Sequence, residues 1–306
     1  MLSQPQSLPC SIFASVPGSL RKKGAERHRR VDSRGGVVYL ESFLEGPSFD
    51  RQGRLYCVDV YSGRIFRVSP EGRFDVIAEY DGRPNGLKIH RDGRIFITDR
   101  KRMLLLLDPD SGAVTPLLDQ ADAKRMRGLN DLVFAGNGDL YFTDFEGASL
   151  QTPIGCVYRL AAGGRLDCLI DNVPGPNGIA LSPAENTIYV AATFANAIWR
   201  MPIMEDGKVG KVGAFFTFSG GSGPDGLAVD TEGNLWVAHA GFGTVWGISP
   251  RGELRWAIRN ERGDFVTNLA FGGPGNRSLF ITEADAGAIL RAELPAPGKP
   301  MYSHAD

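Results

Sequence analysis

Apolar residues recur along this chain in short alternating runs set off by Gly, Pro, Asn and Asp, and no long stretch keeps a 3.6-residue period. That pattern predicts strands and turns nearly throughout. Only residues 118–127 (LDQADAKRMR) suggest a helical turn. The strand signals are also periodic. EGPSFDRQGRLYCVDV, PNGLKIHRDGRIFITD, LNDLVFAGNGDLYFTD, PNGIALSPAENTIYVA, PDGLAVDTEGNLWVAH and TNLAFGGPGNRSLFIT each give a polar residue, an alternating run, a turn and a second strand. The polar residues are Glu45, Asn85, Asn130, Asn177, Asp225 and Asn268, at steps of 40, 45, 47, 48 and 43 residues.

A repeat of that length, with about four strands per unit, is the signature of a β-propeller. Blade 5 reads as GLAVD, NLWVAHA, TVWGISP and ELRWAIR, and blade 1 as PSFD, RLYCVDV, RIFRVSP and RFDVIAEY. Blade 6 has LAFGG, SLFITEA and AILRAEL, and then lacks a fourth strand. The expectation is an all-β, six-bladed propeller of four-stranded antiparallel blades, its ring closed by a strand from residues 36–44, which contain VVYLESF. Such closure removes two open sheet edges. Residues 1–34 read as a flexible or loosely packed extension, 35–295 as the propeller, and 296–306 as a tail.

In a propeller the first strand of each blade lines the axis, so polar residues at one register converge there. Any single Asn-Gly or Asp-Gly is an ordinary turn. Here the position recurs in six repeats, Glu45 is not a usual turn former, and Pro84, Pro176 and Pro224 stiffen three of the approaches. Glu45, Asn130, Asn177 and Asp225 offer two carboxylates and two carboxamides, an oxygen set suited to one hard divalent cation. Ca²⁺ is the first choice, with Mg²⁺, Mn²⁺ or Zn²⁺ as alternatives. The four histidines (His28, His90, His239, His304) lack ligand spacing. Asn85 and Asn268 are expected to orient water or substrate, and Arg127 to bind substrate. Asp99 and Asp144 end second strands in matching TD motifs and are expected to hold the backbone of neighbouring blades. Phe145, Phe194, His239 and Phe242 are further candidates for the pocket lining.

These same residues carry a family resemblance. From about residue 40 to 295 the chain resembles the senescence marker protein (regucalcin)/gluconolactonase/luciferin-regenerating-enzyme family. The likeness is greatest to the bacterial drug-responsive lactonases, through LEGPSFDRQGRLYCVDVYSGRIFRVSPE, LNDLVFAGNGDLYFTDFEGAS, PIGCVYRL, NGIALS and GPDG. The resemblance implies that Glu45, Asn130, Asn177 and Asp225 match the family's catalytic-metal ligands and that Asp225 matches its acid/base aspartate. It implies a metal-dependent hydrolase that opens a lactone ring. A phosphotriesterase-like hydrolase, with the similar ligand set of diisopropyl-fluorophosphatase, is the alternative, as is a non-catalytic propeller with a structural metal. Two positions depart from the pattern. Gly128 stands where sugar-lactonase members have Arg, and Gly226 where the drug-responsive lactonases have Ser after the blade-5 Asp.

Composition narrows the partners. With 34 basic and 35 acidic residues the net charge is −1, which argues against nucleic acid or an anionic membrane as partner. No apolar run is long enough for a transmembrane helix. The basic cluster Arg21, Lys22, Lys23, Arg27, Arg29 and Arg30 follows rather than precedes the apolar stretch, the reverse of a signal peptide. Cys10, Cys57, Cys156 and Cys168 show no C-x-x-C spacing. A cytoplasmic enzyme with a small-molecule lactone substrate, monomeric or weakly oligomeric, is expected. GFGTVWG joins two strands and is no nucleotide loop, and there is no G-x-S-x-G elbow.

Overall fold

A computed structural model describes residues 4–24, 28–32, 35–118, 122 and 124–305. The helical turn expected at 118–127 falls partly on residues outside that set, and among the described ones 124–127 form a turn and a bend. Six antiparallel sheets form the blades of a propeller. Their innermost strands are Leu44–Phe49, Pro84–Ile89, Leu129–Phe134, Pro176–Leu181, Gly223–Val229 and Val266–Gly272. Alternate side chains of each blade pack against the next, so the core is a ring of inter-blade clusters. One such cluster joins Val58, Ile65 and Leu105 of blades 1 and 2, and another joins Ala191, Ile198 and Val237 of blades 4 and 5.

The closing strand is not the expected one. Ser11–Ser15 pairs antiparallel with Ala288–Glu293 and completes blade 6. Gln6–Leu8 adds a fifth, parallel strand to blade 5. The stretch read as a loose extension thus ties two blades. Burial explains the choice. Ala14 and Val16 enter the core between blades 6 and 1, and Phe13 sets its ring edge-on to Phe280 at 5.0 Å. Val37–Leu40 instead forms a hairpin with His28–Val31, leaving Val37 and Tyr39 about half exposed at 47% and 51%. Arg30 pins this hairpin to blade 6 through Asp264 and Asp285, both at 2.5 Å.

The far end of the axis is covered by the tail. Lys299 N donates to Val229 O at 2.9 Å, Ser303 Oγ to Phe49 O at 3.1 Å, and Tyr302 stacks on Phe134. Between tail and axis lies a cavity of about 110 Å³ lined mainly by apolar side chains and by Lys88.

Candidate metal centre and active site

Each innermost strand carries a β-bulge at its first residues. In blade 3, Leu129 faces Asp144 and Leu132 faces Phe142, so Asn130 and Asp131 share one opposing residue, Thr143. Equivalent shifts follow Glu45, Pro176, Pro224 and Val266, and one falls at Pro84/Gly86. A bulge bends its strand and re-aims a side chain that a regular strand would alternate away. Here it directs the ring residues to the axis. Glu45, Asn85, Asn130, Asn177 and Asp225 are all buried there.

Two devices hold that register. Asp59 accepts from Phe43 N, Asp99 from Arg83 N, and Asp144 from Arg127 N and Gly128 N. Each clamps the chain just ahead of its own blade's ring residue. This corrects the expectation that Asp99 and Asp144 hold neighbouring blades. Neighbours are joined by hydroxyls instead. Thr98 Oγ1 donates to Asn130 O at 2.6 Å and Thr143 Oγ1 to Asn177 O at 2.8 Å.

Asn268 does not share the register of the other five. Val266 pairs with Glu283, which makes Thr267 the equivalent of Asn130 and Asn268 the equivalent of Asp131. Asn268 N and Asp131 N accordingly both donate to the threonine hydroxyl of their own second strand, at 3.0 Å each. Asn268 Oδ1 accepts from Leu269 N at 2.8 Å, which turns its amide hydrogens toward Glu45 Oε2 at 2.8 Å and Asp131 Oδ2 at 3.4 Å. A Cβ at Gly226 would lie 2.2 Å from Asn268 Oδ1, so no serine fits there beside this asparagine.

Asp131 is the site residue that sequence reasoning missed. The only signal for it was a carboxylate directly after Asn130 where four other repeats have Gly. It accepts from Leu132 N at 2.8 Å and is 1% exposed. With Glu45 and Asp225 it makes three buried carboxyls around one axis. Burial pushes Glu45 up to about 8, and the charge of Asp131 adds to the shift. Burial, then Glu45 and Asp131, hold Asp225 well above the usual carboxylate range. Burial also raises Asp131, against the pull of Lys88.

The carboxamides point the same way. Asn177 donates to Asp225, yet Asn177 Oδ1 and Asn130 Oδ1 are buried with no hydrogen-bond partner. Orphaned buried acceptors are costly and rare. Two of them beside repelling carboxyls are what an oxygen-preferring cation would satisfy. No cluster of three or more His, Cys, Asp or Glu in metal-holding geometry occurs among the described residues. The candidate set is of another kind, because half its arms are carboxamides.

Other expected residues divide. Arg127 lies exposed at the rim, its Nη1 on Ile154 O at 3.2 Å, and not in the ring. Gly128 leaves no room for the family's arginine, since a Cβ there would meet Glu146 Cβ at 2.8 Å and Arg100 O at 2.9 Å. Phe145 and Phe194 pair across blades 3 and 4 with ring centres 5.3 Å apart. His239 is a structural residue. It accepts from Trp246 Nε1 at 3.1 Å, contacts Gly220 O through Nε2, and burial lowers it to about 4.

Residues 43–285 match the family described as SMP-30/Gluconolactonase/LRE-like region. The chain is 36% identical over 220 residues to lactonase drp35 of Staphylococcus aureus strain bovine RF122 / ET3-1, covering 68% of this chain and 67% of that one. With the strain MRSA252 protein it is 34% identical over 266 residues, 81% of each chain. Among solved structures, a Xanthomonas campestris gluconolactonase superposes with a TM-score of 0.73 at 24% identity, covering 96% of this chain and 99% of that one. Regucalcin from Agrobacterium tumefaciens, described as a calcium-binding protein, gives 0.75 at 22%, covering 98% and 99%. These two share the fold. The match over residues 43–285, with the identity to these lactonases, makes this chain a member of the SMP-30/gluconolactonase/LRE-like family.

Proposed function

We propose that the protein is a lactone hydrolase dependent on a divalent cation, Ca²⁺ first among the candidates. The observation that supports this most is the pair of partnerless carboxamide oxygens, Asn130 Oδ1 and Asn177 Oδ1, buried beside three carboxyls. Glu45, Asn130, Asn177 and Asp225 would hold the cation, which when bound supplies a Lewis acid for the ester carbonyl. Asp225, which takes a hydrogen bond from the Asn177 amide, would accept the proton of the attacking water. It then returns that proton to the ring oxygen as the C–O bond breaks. Asn268 keeps Glu45 in place from the side, and Asn85 holds the equivalent ring position in blade 2, where it would orient water or substrate.

The rim favours a lactone with an apolar substituent over a polyhydroxylated one. Gly128 has no space for a hydroxyl-binding arginine, and the Phe145–Phe194 pair offers aromatic surface beside the Arg100 guanidinium, 5.3 Å over the Phe145 ring. The test is a pH-indicator assay on aliphatic, aromatic and aldono-lactones, with and without EDTA. Proton release that stops with EDTA and returns with Ca²⁺ is expected. Cleavage of a phosphotriester and of no lactone would overturn the reading in favour of phosphorus chemistry. Turnover of neither would leave a ligand-binding propeller.

A further inference from the structure

Blade 3 carries two cysteines on one face of adjacent strands. Cys156 lies on Gly155–Leu160 and Cys168 on Leu166–Val173, the blade's outer strand. Cys168 pairs directly with Tyr158, two residues beyond Cys156, so the three side chains share a face. Both thiols are free, Cys156 buried and Cys168 exposed. Their sulfurs turn back toward their own strands, to Ile154 O at 3.7 Å and Ile170 O at 3.6 Å.

We propose that Cys156 and Cys168 form a peroxide-oxidisable dithiol, closing to a reversible disulfide across the outer two strands of blade 3. Diagonal cross-strand residues start about 7–8 Å apart at Cα, against roughly 4.4–6.8 Å in a disulfide. The register shifts between Val157 and Tyr158, and Leu169 is left unpaired opposite them. That irregularity lies in the sheet's outer strand, whose other long edge pairs with no strand among the described residues, where the shift of an ångström or so is least opposed.

The surroundings favour Cys156 as the attacking sulfur. The neighbouring Cys168 lowers its pKa to about 7, with Tyr158 and Arg127 assisting and burial and Asp144 opposing. Cys168 is raised in turn, by Cys156 first and then by burial, with Asp171 adding and Arg125 opposing. The Cys156 thiolate attacks a hydroperoxide oxygen, the O–O bond breaks, and an alcohol or water leaves with a proton, giving a sulfenic acid. The Cys168 sulfur then attacks that sulfur, the S–S bond forms, the S–O bond breaks, and water leaves with the Cys168 proton. Two electrons pass from the thiols to the peroxide, and a dithiol reductant reverses the change.

The other cysteines serve as internal controls. Cys57 is fully buried and its thiol is raised by burial; Cys10 is raised as well. The experiment treats the full chain with hydrogen peroxide, alkylates it under denaturing conditions, and maps peptides by mass spectrometry. The expected result is a Cys156–Cys168 crosslink, alkylation of Cys10 and Cys57 only, and recovery of all four thiols after dithiothreitol. In Cys168→Ser, which alters an exposed side chain, dimedone should label Cys156. Alkylation of all four thiols after peroxide overturns the proposal. So does oxidation of Cys168 alone without a crosslink, or an unlabelled Cys156 in Cys168→Ser.

Discussion

Asn268 Nδ2 donates to Glu45 Oε2 at 2.8 Å, joining the last blade to the first inside the candidate cation site. Glu45 also accepts from Gly46 N at 2.7 Å, so this carboxylate is held from its own strand and from across the ring junction. Asn268→Ala removes the second hold and leaves a void beside two carboxyls. Outer partners of metal ligands are worth roughly 10–100-fold in affinity or activity. Calorimetric Ca²⁺ titration of Asn268→Ala should show a loss of that size. A change under twofold would mean that Gly46 alone suffices to orient Glu45.

Asp225 is the proposed proton carrier and a ligand at once. Asp225→Asn keeps the shape and the contact to Asn177 but removes both the charge and the basic oxygen. Loss of a general base costs about 10²–10⁴-fold in rate. The lactonase kcat of Asp225→Asn should fall at least that far at saturating Ca²⁺, with circular dichroism unchanged. Retention within a few-fold would assign the proton transfer to another group.

The buried carboxyls also set a pH dependence. Glu45 is pushed up to about 8 by burial and by Asp131, whereas in the unfolded chain it titrates near 4.5. A group whose folded pKa is raised gives stability that is complete below the unfolded value. That stability is lost as pH rises through the folded one. The cation-free protein should therefore lose thermal stability between about pH 5 and pH 8 through this group. A bound cation needs the ionised forms, so the Ca²⁺-induced rise in Tm should grow across the same window, and binding at pH 7 should release protons. Glu45→Gln should flatten the cation-free slope. An equal slope in the variant and the parent protein would remove Glu45 as its source.

Much of the ring could be read from sequence because each repeat writes its strands and its bulge locally. Glu45, Asn85, Asn130, Asn177 and Asp225 fall in one register in both readings. Asn268 escaped because a one-residue offset inside a bulge leaves no trace in composition. Only its pairing opposite Thr282 shows that it stands where Asp131 does. Asp131 did leave a mark, a carboxylate where four repeats have Gly, but only the bulge shows that this second position also turns to the axis. The closing strand was misplaced because VVYLESF alternates better than SIFAS, and alternation alone does not tell a blade edge from a surface hairpin. What decides it is long-range burial of Phe13, Ala14 and Val16.

Closure by Ser11–Ser15 has a consequence for stability. This strand covers the edge at Ala288–Glu293 and seals Ala14, Val16 and Phe13 against Phe280 and Phe49. Deleting residues 1–15 leaves blade 6 with three strands, an open edge and an exposed apolar seam, which invites pairing between copies. A loss of about 3 kcal/mol would lower Tm by roughly 5 °C in a protein of this size. The truncated protein should melt at least that much earlier and show concentration-dependent association by light scattering. Deleting only residues 1–5, ahead of the first strand, should leave both properties unchanged. If both truncations melt like the full chain, the N-terminal strand is not what holds the ring closed.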